Sequence, residues 1–336
     1  MRSCKFMETI LLQKSMCRLS LNNEQLVLTE PDATPYAYPL GCIKQILVYG
    51  NAQITTQAIK ACLKEGIRIV YFSAYGHFLG RLEPCYPSNM KRRLKQYALV
   101  LNPERRLEWA KEFVAVKIRS ELVELRRLFE RKSFPEYKNL RKELQACREQ
   151  VEIAADLPEL LGFEGLAART YYSAFSHFMP RGWVWNGRRR YPSPDRLNAL
   201  LSFCYGKTAA LFAELCETHG LDRQCGILHE PARYGGGLPY DLLEPFRAIF
   251  CDNLILKLVA KRTWKASDFQ SAKNAVNLRP ETMDSFEKEF EHALTLCYSR
   301  QYNSIRELMK HFAELIYQGI EQESDRPDLG SFLPAR

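Results

Sequence analysis

The chain has 336 residues, of which 46% are hydrophobic and 26% are charged, a composition typical of soluble globular proteins. Its length predicts two domains, and because it contains no run of eighteen apolar residues, we expect no membrane-spanning segment. Lys and Arg outnumber Asp and Glu by 48 to 39, and the resulting net charge of +9 permits binding to nucleic acid without proving it.

The start of the chain and its cysteines favour a reducing compartment. Near the N-terminus the apolar run is only ILL, at 10–12, which is too short for the core of a signal peptide. The eleven cysteines are an odd number and form no CxxC pair. This pattern favours buried thiols over a zinc ribbon or a disulfide framework. We therefore predict a cytoplasmic protein.

The first part of the chain carries the short apolar alternations of β-strands. Strands are predicted at 9–14, 17–21, 25–30, 43–50, 67–73 and 77–84. A hairpin turn is predicted at 22–24. A helix is predicted over 55–66, because the segment begins at a threonine and ends at a glycine. Residues 1–88 are thus predicted to form a small β-sandwich-like domain.

Helical periodicity begins near Tyr97 and continues almost to the C-terminus. Helices are predicted at 105–132, 163–179, 194–220, 244–262, 281–300 and 305–320. We predict a linker at 89–96, an all-α catalytic domain at 97–322, and a flexible tail at 323–336, which lacks periodicity. The predicted fold class is therefore α+β, with a small β-sheet domain followed by a larger helical domain.

Basic residues occur in four runs that also contain aromatic residues, at 90–97, 103–113, 124–134 and 186–192. Each run alone is typical of a solvated helix face. Four such runs in one basic chain favour a surface that binds phosphate groups.

Three places in the helical half combine an ionisable side chain with apolar neighbours. Glu164 is followed at helical spacing by Ala167, Ala168 and Tyr171, a face on which a carboxylate is costly unless it is paired or bound to metal. The alternative is an acid that stabilises a helix start. His229 follows an apolar pair in a loop, where a hydrogen-bonded structural histidine is the alternative.

The third place is the segment DLLE, in which Asp241 precedes Glu244 by three residues. A helix-capping pair is the alternative here. Pro245 argues against it, because the missing N–H would forfeit the first hydrogen bond of the helix. Two carboxylates and an imidazole form a mixed oxygen and nitrogen set that suits Mg²⁺ or Mn²⁺.

Three segments, taken in chain order, resemble the CRISPR-associated integrase and endonuclease that acts in spacer acquisition. They are EGLAARTYY, WNGRRRYPSPDRLNALLSFCYGK and GLDRQCGILHEPARYGGGLPYDLLEPFRAIFCDNLI. The segments 38–84 and 105–127 are also similar to that family, so the resemblance covers about residues 8–320. It implies a metal-dependent reaction in which the 3′-hydroxyl of a short DNA fragment attacks a phosphodiester at the repeat of a CRISPR array.

The resemblance also implies the roles of individual residues. Glu164, His229 and Glu244 match the catalytic metal ligands, and Glu244 stands where many members carry aspartate. Asp241 matches an acid that positions a ligand or a water. The predicted nucleic-acid contacts are Arg188, Arg189, Arg190, Lys207 and Arg247, with Ser202 and Tyr205 as weaker candidates.

Other polar and glycine residues near these segments have structural interpretations. Asp195 is predicted to be a helix N-cap and Asn198 a structural hydrogen bonder. Gly235, Gly236 and Gly237 predict a mobile turn, although a close approach of the backbone to DNA is the alternative.

The partners expected from the resemblance are double-stranded and branched DNA, a second copy of the chain, and a small second adaptation protein. Two alternatives share the fold, namely a non-catalytic DNA-binding scaffold and a nuclease that repairs branched DNA. From the residues alone, a basic helical RNA-binding protein is a further alternative, but the chain carries no RNA-module signature.

Overall fold

The computed structural model describes residues 8–13, 16–31, 33–74, 78–82, 90–130, 136–190, 192–230, 237–272 and 275–333. The chain divides into two compact units. The first combines residues 1–85 with 266–272 and 277–287, and the second contains residues 86–265, 273–276 and 288–336.

The strands of the first 85 residues form two four-stranded sheets. In chain order they are β1 (Glu8–Leu12), β2 (Arg18–Asn22), β3 (Gln25–Thr29), β4 (Tyr36–Pro39), β5 (Ile43–Tyr49), β6 (Gln53–Ile54), β7 (Arg68–Phe72) and β8 (Phe78–Leu82). One sheet has the order β1-β5-β7-β8, with β8 antiparallel and the other three strands parallel. The other has the order β4-β3-β2-β6.

Both sheets and one helix contribute to a single hydrophobic core. The helix α1 (Thr56–Lys64) begins after Thr55, whose hydroxyl accepts a hydrogen bond from the backbone N–H of Ala58. Leu19 and Leu26 from one sheet, and Ile46 and Ile69 from the other, are fully buried in this core. Buried and more exposed side chains alternate along β3, as its sequence pattern predicted, whereas nearly every residue of β5 and β7 is buried.

The remaining chain is mostly helical, so the predicted α+β class is confirmed. The helices are α2 (Met90–Leu101), α3 (Pro103–Phe129), α4 (Glu136–Ile153), α5 (Leu157–Ser173), α6 (Arg196–Thr218), α7 (Gly237–Phe246), α8 (Asn253–Ala260), α9 (Pro280–Thr295) and α10 (Ile305–Glu321). A π-helix, Arg247–Asp252, joins α7 to α8. Two short strands, β9 (Phe269–Ala272) and β10 (Ala275–Leu278), lie between α8 and α9 in the sequence.

Two segments differ from their predicted roles as linker and tail. Residues 90–96 form the first turns of α2, and the buried Gln96 donates hydrogen bonds to the carbonyls of Asp222 and Cys225. The described part of the tail, 323–333, is packed, because Leu329, Phe332 and Leu333 are buried. An aperiodic segment can still be held by a few apolar side chains, which helical periodicity does not reveal.

At most described positions the cysteines are free thiols, as predicted. Eight of them, including Cys62, Cys147 and Cys204, are not disulfide-bonded. Cys42 is disulfide-bonded, so the expectation of thiols throughout is wrong at that position.

The helix α6, with 23 residues, is long and apolar enough to cross a membrane by length and composition alone. Most of its apolar stretch, 72%, is buried inside the protein. Such burial is typical of a core helix, which passes the same test of length and composition.

Candidate active site

Three helices bring two acids to one lysine. Lys117 lies in α3, Glu164 in α5 and Glu244 in α7. The Lys117 ammonium forms an ion pair with Glu164 Oε1 and lies 2.7 Å from Glu244 Oε2. Glu164 and Glu244 are 80 positions apart in sequence (244 − 164 = 80), yet both carboxylates meet the same nitrogen atom.

The charges of this centre fix the protonation states of its buried members. Burial alone would lower the pKa of Lys117, but Glu244, Glu164 and Glu121 outweigh burial and raise it. Burial would likewise raise the pKa of Glu244, but Arg247, Lys117 and His229 together lower it. Glu244 is therefore an ionised carboxylate and Lys117 a charged ammonium at neutral pH.

His229 is oriented by Asp241, which is fully buried inside α7. Asp241 Oδ1 lies 2.7 Å from His229 Nδ1, and the same carboxylate accepts hydrogen bonds from the backbone N–H groups of Ile227, Leu228 and His229. An acceptor-only carboxylate places the ring proton on Nδ1 and leaves the Nε2 lone pair available. His229 Nε2 lies 3.7 Å from Glu244 Oε1.

A contact between two glycines holds the His229 loop against the start of α7. A Cβ atom on Gly226 would lie 2.8 Å from the Gly237 Cα, and one on Gly237 would lie 2.7 Å from the Gly226 Cα. Side chains cannot be accommodated at that distance, so this sequence needs glycine at both positions. Gly237 therefore serves a close approach within the protein, whereas Gly235 and Gly236 of the predicted mobile turn lie outside the described residues.

The π-helix after α7 directs Arg247 into the centre. Arg247 is buried and its Nη2 lies 2.9 Å from Glu244 Oε1. Its guanidinium also lies over the ring of Tyr205, 4.6 Å from the centroid, and the guanidinium of Arg188 lies 5.1 Å from the same centroid. Tyr205, whose hydroxyl donates to Asp252 and lies 2.8 Å from that of Tyr172, thus positions two arginines.

A groove of about 600 Å³ opens beside Glu164. Its cationic lining residues are Lys117, Arg169, Arg188, Arg190 and Arg247, and its aromatic ones are Tyr172 and Trp185. Glu164 lines the groove, and Glu244 pairs with both Lys117 and Arg247. The five cations still outnumber these two carboxylates, so the groove has a positive potential, which attracts anions such as phosphodiesters.

Not all of the predicted DNA contacts line this groove. Arg188, Arg190 and Arg247 do, whereas Arg189 is exposed elsewhere. Lys207 is buried and its ammonium lies 5.4 Å from the centroid of the Phe290 ring, so its position differs from the prediction. A lysine on a mostly apolar helix is indistinguishable in sequence from one at a surface.

Two neighbouring residues have the predicted structural roles. Asp195 caps α6 by accepting a hydrogen bond from the Asn198 backbone N–H, at 2.8 Å. The buried Asn198 accepts from Arg188 Nη1 and from the Arg189 backbone N–H. Both predictions are confirmed, and Asn198 fixes the segment that carries Arg188 toward the groove.

Sequence reasoning missed Lys117 and three buried acids behind it. Burial is the main cause that raises the pKa of Glu121 to about 8, and those of Glu124 and Asp252 to about 7. Lys117, Glu121 and Glu124 follow one another at spacings of four and three residues in α3. The sequence did carry a signal for them, because these charged residues recur at helical spacing along a face of α3 that is otherwise apolar.

The chemistry of Glu164, His229 and Glu244 fits a divalent cation, although the centre holds Lys117 between the two acids. The described residues contain no group of three or more His, Cys, Asp or Glu side chains close enough together to hold a metal as they stand. Two carboxylates that converge on one point, with an imidazole whose Nε2 is available, are nevertheless the donor types that Mg²⁺ or Mn²⁺ uses.

The fold and this centre define the class of protein, an α+β chain whose helical part holds a carboxylate and imidazole centre beside a basic groove. Residues 10–292 match the family described as CRISPR associated protein Cas1. The chain therefore belongs to the Cas1 family, as its resemblance predicted.

Curated relatives share a large part of the chain. It is 34% identical over 261 residues to CRISPR-associated endonuclease Cas1 3 of Thermus thermophilus, covering 76% of this chain and 75% of the relative. It is 32% identical over 245 residues to CRISPR-associated endonuclease Cas1 1 of Archaeoglobus fulgidus, covering 67% of this chain and 70% of the relative.

Solved structures share the fold at lower sequence identity. A Cas1 protein from Thermotoga maritima matches with a TM-score of 0.82 and 24% identity, over 94% of this chain and 98% of that one. A casposase bound to integration product matches with a TM-score of 0.83 and 22% identity, over 96% and 93%. A Cas6-RT-Cas1–Cas2 complex matches with a TM-score of 0.80 and 19% identity, over 96% and 36%.

Proposed function

We propose that this Cas1 protein is a metal-dependent DNA integrase that joins the 3′-hydroxyl ends of short DNA fragments into a CRISPR array. The observation that carries the proposal is the convergence of Glu164 and Glu244 on one point, with His229 Nε2 left available by Asp241. Its relatives are named as endonucleases, and a structural neighbour is a casposase bound to integration product; both support phosphodiester chemistry.

The proposed reaction is a transesterification. The attacking 3′-oxygen forms a bond to phosphorus while the bond to the displaced 3′-oxygen breaks, and the hydroxyl proton is transferred in net terms to that leaving oxygen. One ester bond forms and one breaks, so no external energy source is needed. Glu164, His229 and Glu244 would hold Mg²⁺ or Mn²⁺, which when bound would polarise a phosphodiester oxygen and activate the attacking hydroxyl.

The chain's own cations supply the remaining parts of the mechanism. Arg188, Arg190 and Arg247 line the groove beside Glu164, where they would bind the phosphates of the DNA ends and orient them. Asp241 keeps the His229 ring in one tautomer, and Arg247 stabilises the ionised form of Glu244.

We also propose the partners and the location that the resemblance implies. The substrate would be double-stranded or branched DNA, and the protein would act in the cytoplasm as a homodimer through its N-terminal sheets. A complex that contains Cas1 and Cas2 among the structural neighbours supports a small second adaptation protein as partner.

Replacing Lys117 with Met should tighten Mn²⁺ binding about fivefold or more. The ammonium lies against both acids, and a unit charge about 4 Å away opposes a cation by roughly 1–4 kcal/mol, depending on the local dielectric. The affinity can be measured by Mn²⁺ titration followed by electron paramagnetic resonance, without DNA.

Lys111→Met is the matched control for this experiment. Lys111 is also a buried lysine of α3, but its partner is Glu108, 2.9 Å away. Unchanged or weaker Mn²⁺ binding by Lys117→Met would contradict a metal site between Glu164 and Glu244.

The proposed function is tested by an integration assay with a repeat-containing target and fragments that end in a 3′-hydroxyl or in a 3′-deoxy group. The assay is run with Mg²⁺ and with Mn²⁺, and with and without the small partner protein. An integrase yields joined product only from the free 3′-hydroxyl. Equal cleavage of the target with both fragments would identify a hydrolytic nuclease, and DNA binding without any product would identify a scaffold.

A further inference from the structure

A second basic groove lies on the helical hairpin of α3 and α4, with a volume of about 660 Å³. We call it the arginine groove, and it is defined by Arg119, Arg126, Arg127, Arg141 and Arg148. The three arginines of α3 are spaced seven and one residues apart, and those of α4 are seven apart, so each row follows one helix face. Lys117 and Glu121 lie on another face of α3, toward the catalytic acids.

The charge of the arginine groove is only partly compensated. Its five arginines face a single lining acid, Glu130, which pairs with Arg126 at 2.8 Å. Arg127 pairs with the buried Glu124 at 3.4 Å, while Arg119 donates to the neutral backbone carbonyls of Gly330 and Leu333. Among residues 8–333 as far as they are described, Arg141 and Arg148 make no ion pair or hydrogen bond. Three positive charges are therefore left for a ligand.

The arrangement of these charges fits a chain of phosphates better than a single anion. Arg119 and Arg126, like Arg141 and Arg148, are separated by seven residues, which is about 10.5 Å along a helix axis. Phosphates of one DNA strand recur about every 3.4 Å along the duplex axis, so each row spans about three steps from one phosphate to the next. Guanidinium groups bind phosphate oxygens in a bidentate manner, which explains arginine rather than lysine in both rows.

The floor of the arginine groove indicates that bases are not read there. Phe129 is buried, at 5% exposure, and its ring packs on that of Tyr137 with centroids 5.4 Å apart. The buried Phe129 ring offers no face for base stacking, and the arginines of the groove favour contacts with the sugar–phosphate backbone.

We infer that the arginine groove is a second, sequence-independent binding site for the DNA backbone, separate from the groove beside Glu164. This inference rests on the proposed function only in taking DNA as the substrate class. Because α3 supplies both Lys117 and the arginine groove, DNA bound there is held by the same helix that contributes to the catalytic centre. The site would anchor the flanking duplex while the reacting end lies beside Glu164.

The inference is tested with the double variant Arg141→Ala/Arg148→Ala in the full chain. Duplex binding is measured by fluorescence anisotropy over a salt series, in EDTA so that no catalysis is required. Loss of two phosphate contacts should reduce the slope of log K against log salt by about 1.8 and weaken binding roughly tenfold or more at 0.15 M salt. Product formation at saturating DNA with metal restored should stay at the wild-type rate.

Lys138→Ala/Lys142→Ala is the matched control, because it removes the same charge from α4. Both lysines are exposed and do not line the arginine groove. The control should change the slope by less than half as much. An equal slope change in both double variants, or none in either, would overturn the inference. If the Arg141→Ala/Arg148→Ala variant lost binding to an acidic partner protein but kept the wild-type salt dependence of DNA binding, the groove would bind protein and the inference would also be overturned. Failure of integration in the wild type would refute the proposed function without affecting the binding result.

Discussion

Glu244→Gln and Glu164→Gln are each expected to reduce strand transfer by roughly a thousandfold, while binding to duplex DNA persists. A metal ion contributes several kcal/mol to stabilising charge in the transition state, and each 1.4 kcal/mol is about a factor of ten. Either amide removes one negative charge from the point where the two acids meet Lys117. The measurement is the rate of joined product at saturating DNA, together with Mn²⁺ affinity.

The two variants should differ in stability, which separates chemistry from folding. Glu244 is buried, with 2% of its side chain exposed, and contacts both Lys117 and Arg247, so its amide leaves two buried cations poorly compensated. Glu164 is 22% exposed and contacts Lys117, so Glu164→Gln should unfold at nearly the wild-type temperature. Full activity of a folded Glu164→Gln protein would remove the metal site from the mechanism.

Glu124→Gln is the matched control for the loss of a buried acid. Glu124 lies on α3 and is 1% exposed. It accepts hydrogen bonds from Asn253 and forms an ion pair with Arg127, and these contacts do not involve Glu164 or Glu244. Its amide should leave the rate of strand transfer within a few-fold of the wild type. A thousandfold loss here would indicate a general response to burial of an amide in the helical core.

The strands and long helices could be predicted because their signals are local. Alternation along β2 and β3, and the spacing of apolar residues along α3 and α10, each reflect one buried face. The short β6 and the exposed β4 were missed, because pairing with neighbouring strands defines them rather than their own side chains. In α4 only Leu144, Cys147 and Val151 are buried, and the many charged residues between them obscure the apolar spacing, so this helix was not predicted.

The candidate site depends on distances that the sequence does not contain. Periodicity placed Glu164 on a helix, and Pro245 argued against a cap at Asp241, which indeed lies inside α7. The meeting of α3, α5 and α7 came only from the structure, and with it the role of Lys117 between the acids. Several motifs taken together predicted the family. The contact between Gly226 and Gly237 could not be predicted, because a glycine in a loop can serve many local purposes.

Asp241→Asn is expected to move the ring proton of His229 from Nδ1 to Nε2. If the new amide group faced Ile227 and Leu228, two buried backbone N–H groups would lose their acceptor; if it faced His229, only one would. Each unpaired buried donor costs about 1–3 kcal/mol, so the amide should face the histidine. The ring then accepts at Nδ1 from the amide and carries its proton on Nε2, where it cannot bind a metal.

The expected consequence is a loss of roughly 10–100-fold in Mn²⁺ affinity, the usual effect of removing a group that orients a histidine ligand. Nitrogen-15 chemical shifts of the His229 ring report the tautomer directly, and strand transfer should fall in parallel. Asp222→Asn is the control, since Asp222 also accepts a backbone N–H, from Gln224, and a hydroxyl, from Tyr97, but does not contact His229. If His229 kept its proton on Nδ1 in Asp241→Asn while strand transfer was lost, Asp241 would act through the loop backbone. An unchanged tautomer with unchanged Mn²⁺ affinity would show that the carboxylate does not prepare His229 as a ligand.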